Sequence, residues 1–383
     1  MSILYPGHLP PTPRDPSGAA LRVEASESSP PSTLGPLTGP TRQVDGVTMV
    51  EVTFRASAPP SSRILLHLNG FTDDHRHTLT PSLLRPTPDA NIHQATLLLP
   101  ADGVFSYRFV DVTDLPDDIG TTRPGWRRIH ERGHADPANP ERFRGPFGAE
   151  NSIWRGPTSG APLWPTRDVE GWQEISHEGG ARRIHILPGD DLILVLFDGQ
   201  FWQHLAPGAG LRALGHKHTI VLIPTEMDQR AAEMTTAPAA IALLRTALEA
   251  ASQCLGRSIP AAYAVAGQSF SALAVAHILA DAPHLLEAGI VQSASLWYPH
   301  KGGDTPGDLL RLLEDGQGHA EARTIIQVGA HEPFMLPYSR RYYEILRSRG
   351  ADVTYHEARG GHDYAWWRLG LAKALADLAN TSM

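Results

Sequence analysis

Residues Ala261–His277, AAYAVAGQSFSALAVAH, read as a short apolar strand, a tight turn and a helix of small residues. The turn is Gly267-Gln268-Ser269-Phe270-Ser271. A sharp strand-to-helix corner with small flanking residues holds a serine hydroxyl out above a sheet, a layout called the nucleophile elbow. Its usual form is G-x-S-x-G, and here Ser271 stands where the second glycine is expected. The strand before and the helix after supply the context that the motif requires.

Working outward, the chain beyond Glu174 alternates between two periodicities. RRIHILPG, DLILVLFDG, HTIVLIPTE, AAYAVAG, GIVQSAS, TIIQVGA and DVTYHEA predict strands, while APAAIALLRTALEAASQCLG, SRRYYEILRSRG and WWRLGLAKALADLAN predict helices. Continuous apolar strands alternating with amphipathic helices mean an α/β fold with a mainly parallel sheet covered on both faces. In such sheets function gathers beyond the carboxyl ends of the strands. Gly199, Ser269, Glu332 and His362 all follow predicted strands, so all four are expected on one rim.

The first half is different. VTMVEVTFRA, SRILLHLNGF, HQATLLLPA and VFSYRFVDV are short alternating segments separated by turn residues, the pattern of a small antiparallel β-sandwich. Proline, serine, glycine and threonine dominate the start, as in SSPPSTLGPLTGPT, so residues 1–44 are expected to be irregular. From Asp111 to about Pro165 little periodicity is visible, and a wrapped loop with a linker is expected. The predicted organisation is therefore 1–44 irregular, 45–165 sandwich and linker, and 166–383 catalytic α/β-hydrolase domain.

Composition narrows the class further. The 383 residues exceed the ~250–300 at which a single core stops growing, in keeping with two domains. With 33 Lys plus Arg against 41 Asp plus Glu, the balance is the reverse of a nucleic-acid-binding one. One cysteine, Cys254, excludes an internal disulfide framework and a cysteine-rich metal site, which fits a reducing compartment. No basic stretch followed by an apolar run opens the chain, and no run of 18 apolar residues occurs. A cytoplasmic protein with no membrane partner is expected.

A serine hydroxyl is a poor nucleophile until a base takes its proton. Hydrolases with this elbow carry the acid and then the histidine after the serine. His362 in ARGGHDYAWW fits the base: it follows the last predicted strand and two glycines. Glu332 in VGAHEPF follows TIIQVGA and is the favoured acid, while Asp363 reads as a helix cap. Backbone donors for an oxyanion are expected at Phe270 and at Gly199 or Gln200 in DGQFW. Two histidine-containing runs, Asp73–His77 and His130–His134, are not expected to bind metal. Gly133 and the nearby prolines oppose the helix that an H-E-x-x-H site needs.

DGQFW, AGQSF, VQSASLWY, HEPF and GGHDYAWWRLGL together resemble the enterochelin esterase family, α/β-hydrolases that open ferric catecholate siderophores. HLNGFTDDHR, YRFVD, PGWRR and ADPANP resemble the N-terminal sandwich of the same family, so the likeness runs from about residue 45 to 380. It implies hydrolysis of a cyclic tri-serine lactone carrying catecholates, with Ser269 as nucleophile, His362 as base and Glu332 as acid. It implies no cofactor, since the iron is carried by the substrate, and no particular oligomeric state. DQRAAEM resembles a family stretch that would put Arg230 near an anionic substrate. A solvated loop charge or a pair with Glu233 are the other readings of Arg230. Trp202, Trp297, Tyr298, Trp366 and Trp367 are candidates to stack on catechol rings, or else core. Ser271-Ala272 departs from two family glycines, either crowding the elbow or adding a hydrogen bond. An esterase of the same build acting on another ester or lactone, and a catalytically silent binding protein, are the alternatives.

Overall fold

The alternating runs after Val47 become strands of two antiparallel four-stranded sheets, in a computed structural model that describes residues 4–25, 34–88, 91–145, 148–177, 182–300 and 305–381. Leu37–Val44, Val47–Ser57, Ile92–Pro100 and Arg85–Pro86 form one sheet; Ile64–Leu68, Val104–Asp111, Glu150–Arg155 and Arg142–Arg144 form the other. Side chains two apart share a face of a strand. Val50, Val52 and Phe54 therefore meet Leu66, Leu68, Phe105, Tyr107 and Phe109 in one buried cluster. The outer face of the second sheet, through Leu65, Val110 and Val112, is covered by Trp126 and Ile129.

Two expectations for this half need correction. Leu37–Val44 is a strand rather than irregular chain, paired residue for residue with Val47–Ser57 apart from one bulge. Asp45 and Gly46 both take positive φ, the Asp-Gly turn that matches strand twist, so the expected boundary cut a hairpin at its tip. The stretch after Asp111 is also more than a loop: it contains the helix Arg123–Arg132 and the strands Arg142–Arg144 and Glu150–Arg155. Pro124 starts that helix instead of breaking it, because a first-turn residue has no intrahelical N–H bond to lose. Thr122 caps it by accepting from the Gly125 N–H at 3.2 Å.

The second half forms a nine-stranded sheet in the order Leu4–Pro6, Val353–Ala358, Arg323–Gly329, Leu286–Gln292, Ala262–Gln268, Ile193–Phe197, Thr219–Ile223, Arg183–Leu187, Gln173–Ser176. The central pairs from Thr219–Ile223 to Arg323–Gly329 are parallel, and the last two pairs are antiparallel. Ile193–Phe197 and Thr219–Ile223 are buried at every position, as strands covered on both faces must be. Helices Ala237–Leu255 and Phe270–Asp281 supply Leu244, Ala247, Ala251, Ala274 and Ile278 to the core with Val195, Val221 and Val265. This is the mainly parallel sheet and α/β class expected, joined to the antiparallel β domain.

By packing, the chain divides into a first unit of Leu9–Pro162 with Ala358–Trp366 and a second that includes Leu163–Glu357 and the chain from Trp367. Among the described residues no helix is long and apolar enough to cross a membrane.

The elbow strand ends with no room to spare. A Cβ on Gly267 would lie 2.2 Å from the Ser271 carbonyl oxygen, which is backbone and cannot swing away. Gly267→Ala is therefore expected to destabilise the protein by roughly 1–3 kcal/mol through overpacking. A lowered thermal or urea midpoint checks this; an unchanged midpoint would mean that the turn can open.

Candidate active site

Ser269 links the strand Ala262–Gln268 to the helix Phe270–Asp281 and takes φ 60°, ψ −117°, a conformation an L-residue avoids. Its N–H donates to the Gln292 carbonyl, and its own carbonyl accepts from Leu273 and Ser295, so the backbone is held on three sides. Ser271 settles the departure from glycine. Its buried hydroxyl accepts from the Gln268 N–H and donates to the Gln268 carbonyl, both at 2.8 Å, adding hydrogen bonds across the corner. Ser269 itself is half-buried, with its Oγ 3.3 Å from Ser295 Oγ.

Glu332 lies just past the strand Arg323–Gly329 and is 4 % exposed. Its Oε1 accepts from Ser293 Oγ at 2.6 Å and from the Gly329 N–H at 2.8 Å. Between the strands that carry Ser269 and Glu332 runs Leu286–Gln292, and the loop leaving it supplies a serine to each side: Ser295 to Ser269, Ser293 to Glu332.

His362 follows Ala358, the end of the strand Val353–Ala358, by four residues. Its segment packs with the first unit: the Val104 N–H donates to the Arg359 carbonyl, and Ser106 Oγ donates to Asp363 Oδ2. Asp363 is the helix cap expected, accepting from the Ala365 N–H at 2.6 Å just ahead of the helix Tyr364–Thr381.

Phe270 and Gly199 are each the first residue of a helix, where the N–H has no intrahelical acceptor. Gly199 is required by close approach, since a Cβ there would lie 2.7 Å from the backbone of Leu222. Before it, Asp198 adopts the left-handed conformation with φ 57° and is fully buried. Arg230 braces that carboxylate with a two-pronged bond, Nε to Oδ1 at 2.8 Å and Nη2 to Oδ2 at 2.6 Å, and Thr225 Oγ1 adds a third donor. Glu233, the other partner considered for Arg230, pairs with Arg182. The Arg230 guanidinium also lies 5.5 Å from the centre of the Phe270 ring.

The aromatic candidates separate by burial. Trp202 is fully buried and donates to Gln268 Oε1; Trp366 is 1 % exposed and donates to the Gly361 carbonyl; Trp367 donates to Ser293 Oγ. A stacking face for Trp202 or Trp366 is thus corrected to a core role, because a ring with no exposed face has none to offer a ligand. Trp297, also buried, sits under Phe270, Tyr298 and Phe334 at ring distances of 5.6–6.1 Å. Phe334, which sequence reasoning passed over inside HEPF, is the member of this group that is 42 % exposed. Asp198 and Ser293 were passed over too, although both stand inside motifs that drew attention, DGQFW and VQSASLWY.

Three ligand-type side chains do converge in the first unit. His67, Asp73 and His130 bring donor atoms within 4.8 Å of one another, drawing on both runs set aside from sequence. The helix Arg123–Arg132 does form around His130, contrary to expectation, but it stops before His134. Arg108 Nη2 donates to His130 Nδ1, and a neutral imidazole that accepts at one nitrogen carries its proton on the other. The His130 Nε2 is then a donor, and burial together with the neighbouring His67 and Arg108 pushes the His130 pKa down to about 3. Arg76 lies 3.4 Å from Asp73 Oδ1. Two arginines beside the group, one of them donating to His130 Nδ1, suit a charge-paired cluster and oppose a cation.

Residues 49–165 match the enterochelin esterase N-terminal domain family, and residues 193–378 match the putative esterase family. The iron(III) enterobactin esterase of Escherichia coli strain K12 is 30% identical over 373 residues, covering 86% of this chain and 91% of that protein. The crystal structure of the enterobactin esterase of Shigella flexneri in the presence of enterobactin is similar with a TM-score of 0.76 at 27% identity, over 92% of this chain and 97% of that one. The same enzyme in the presence of 2,3-di-hydroxy-N-benzoyl-serine gives 0.75 at 28%, over 91% and 97%. With elbow, sheet and sandwich all accounted for, this chain belongs to the enterochelin esterase family of carboxylic ester hydrolases.

Proposed function

We propose that the protein hydrolyses the ester bonds of a ferric catecholate siderophore built on a cyclic tri-serine lactone, releasing iron in the cytoplasm. The observation that carries this reading is Ser269, a reachable hydroxyl on a backbone corner that the fold keeps strained. His362 takes the Ser269 proton as the oxygen attacks the ester carbonyl, and Glu332 holds the imidazole in the required tautomer. The oxyanion accepts from the N–H groups of Phe270 and Gly199, each such donor lowering the barrier by about 3 kcal/mol. Collapse expels a serine-type alcohol that takes the proton back from His362, and water then repeats the sequence on the acyl-enzyme.

Substrate class is supported by surface. A ferric tris-catecholate is an anion, and Arg230, beside the Phe270 ring, has its own charge balanced by the two-pronged bond to Asp198. Catechol rings suit the exposed Phe334 edge and the half-buried Tyr298 above Trp297. The relatives named for enterobactin point to the same chemistry.

Mass spectrometry of an iron-loaded tri-catecholate lactone after incubation should show ring-opened and shorter serine esters with the native protein and none with Ser269→Ala. An intact lactone alongside hydrolysis of simple aryl esters would instead favour a carboxylesterase for another ester or lactone. Absence of turnover on both substrates would favour a binding protein. Phe334→Ala should raise KM for the catecholate lactone roughly 2- to 10-fold, the worth of one aromatic contact, and leave KM for a small acetyl ester unchanged. Equal change on both substrates would remove Phe334 from the catechol surface.

A further inference from the structure

Ser293 stands immediately after the strand Leu286–Gln292 with φ 49°, fully buried, its N–H donating to the Gln327 carbonyl at 2.8 Å. Its hydroxyl lies between two groups. Trp367 Nε1 is 2.9 Å away on one side and Glu332 Oε1 is 2.6 Å away on the other. An indole N–H donates and never accepts, so the Ser293 oxygen accepts from Trp367, and its single proton goes to Glu332. The direction of the chain Trp367 to Ser293 to Glu332 is thereby fixed by chemistry. The short contact to Glu332 lies in the charge-assisted range.

The Gly329 N–H donates to the same oxygen. A glutamate otherwise turns almost freely about its terminal bond, which has no sharp staggered wells. Two donors converging on Oε1 remove that freedom and turn the carboxylate so that Oε2 faces away from them. Buried left-handed backbone at a non-glycine residue costs of order 1–3 kcal/mol and persists where its surroundings impose it. Here that conformation points a hydroxyl at the candidate acid.

We propose that Ser293, oriented by Trp367, is a positioning residue for the ester hydrolysis. It commits one oxygen of Glu332 and so fixes the carboxylate that serves as the acid in that reaction. This rests on the triad assigned above. The Ser293 hydroxyl never touches substrate; it acts through Glu332, whose misplacement would leave the imidazole free to rotate during proton transfer.

The test uses the full-length protein with an aryl acetate ester and measures kcat and KM separately. Ser293→Gly removes the hydroxyl and accepts positive φ without strain, whereas Ser293→Ala removes the same hydroxyl but keeps the Cβ. Both are expected to lower kcat by about 10- to 100-fold, the scale of a small misplacement in an active site, with KM unchanged. In a Glu332→Ala background, Ser293→Gly should add less than about a 2-fold further loss, since residues acting as one unit are not additive. The proposal is overturned if Ser293→Gly keeps native kcat while Glu332→Ala loses it, if only the alanine variant is impaired, or if the two losses multiply. If Ser269→Ala is inactive but Glu332→Ala is fully active, the acid assignment fails and the role of Ser293 falls with it.

Discussion

The backbone at Ser269 is the constraint on which the second half of the molecule is organised. Holding an L-residue at φ 60° and ψ −117° is uphill by of order 1–3 kcal/mol, so the neighbouring elements must over-determine it. They do so with hydrogen bonds rather than bulk. Gln292 and Ser295, from one adjoining strand and its loop, take both ends of the Ser269 peptide unit, and the Ser271 hydroxyl closes the turn from inside. Residue 267 is glycine because the helix begins within contact of the strand that precedes it.

Directly under this corner the sheet carries an unusual amount of buried polarity. Gln268, Gln292 and Gln327 occupy matching positions on three adjacent parallel strands. Each amide nitrogen donates to the next amide oxygen or to a helix carbonyl: Gln268 to Gln292 at 2.8 Å, Gln292 to Gln327 at 2.7 Å, Gln327 to the Gly370 carbonyl at 2.9 Å. Trp202 completes the row at Gln268. An unpaired buried amide costs several kcal/mol, so a one-residue slip of any strand would leave the row unsatisfied. The ladder therefore sets the strand ends level with one another, and the serines, glutamate and glycine that follow those ends inherit a common height.

Much of this was legible without coordinates. The elbow, the parallel strands, the long helices and the alternating sandwich strands announce themselves because periodicity and small-residue spacing are local properties of the chain. The Asp363 cap was legible for the same reason. What was missed has a common character. The hairpin at Asp45-Gly46 was cut because the prolines around it outweighed the turn signal, and the helix at Arg123 was discounted because a first-turn proline looks like a breaker until its position in the helix is known. Arg230 was read as a substrate contact, a solvated charge or a partner of Glu233, and not as a partner of Asp198, which lies 32 residues earlier.

Sequence alone determined the fold class, the family likeness and the residue types that chemistry demands at strand ends, since these follow from patterns a few residues long. Tertiary structure decided what each polar side chain is used for. The Ser271 hydroxyl became a turn closure, Arg230 became a brace for a buried carboxylate, and Trp202 and Trp366 became core while Phe334 kept an exposed face. The reason is physical: a hydrogen-bond partner or a covered ring face depends on atoms brought together from distant parts of the chain, and only the packed sheet and helices fix which atoms those are.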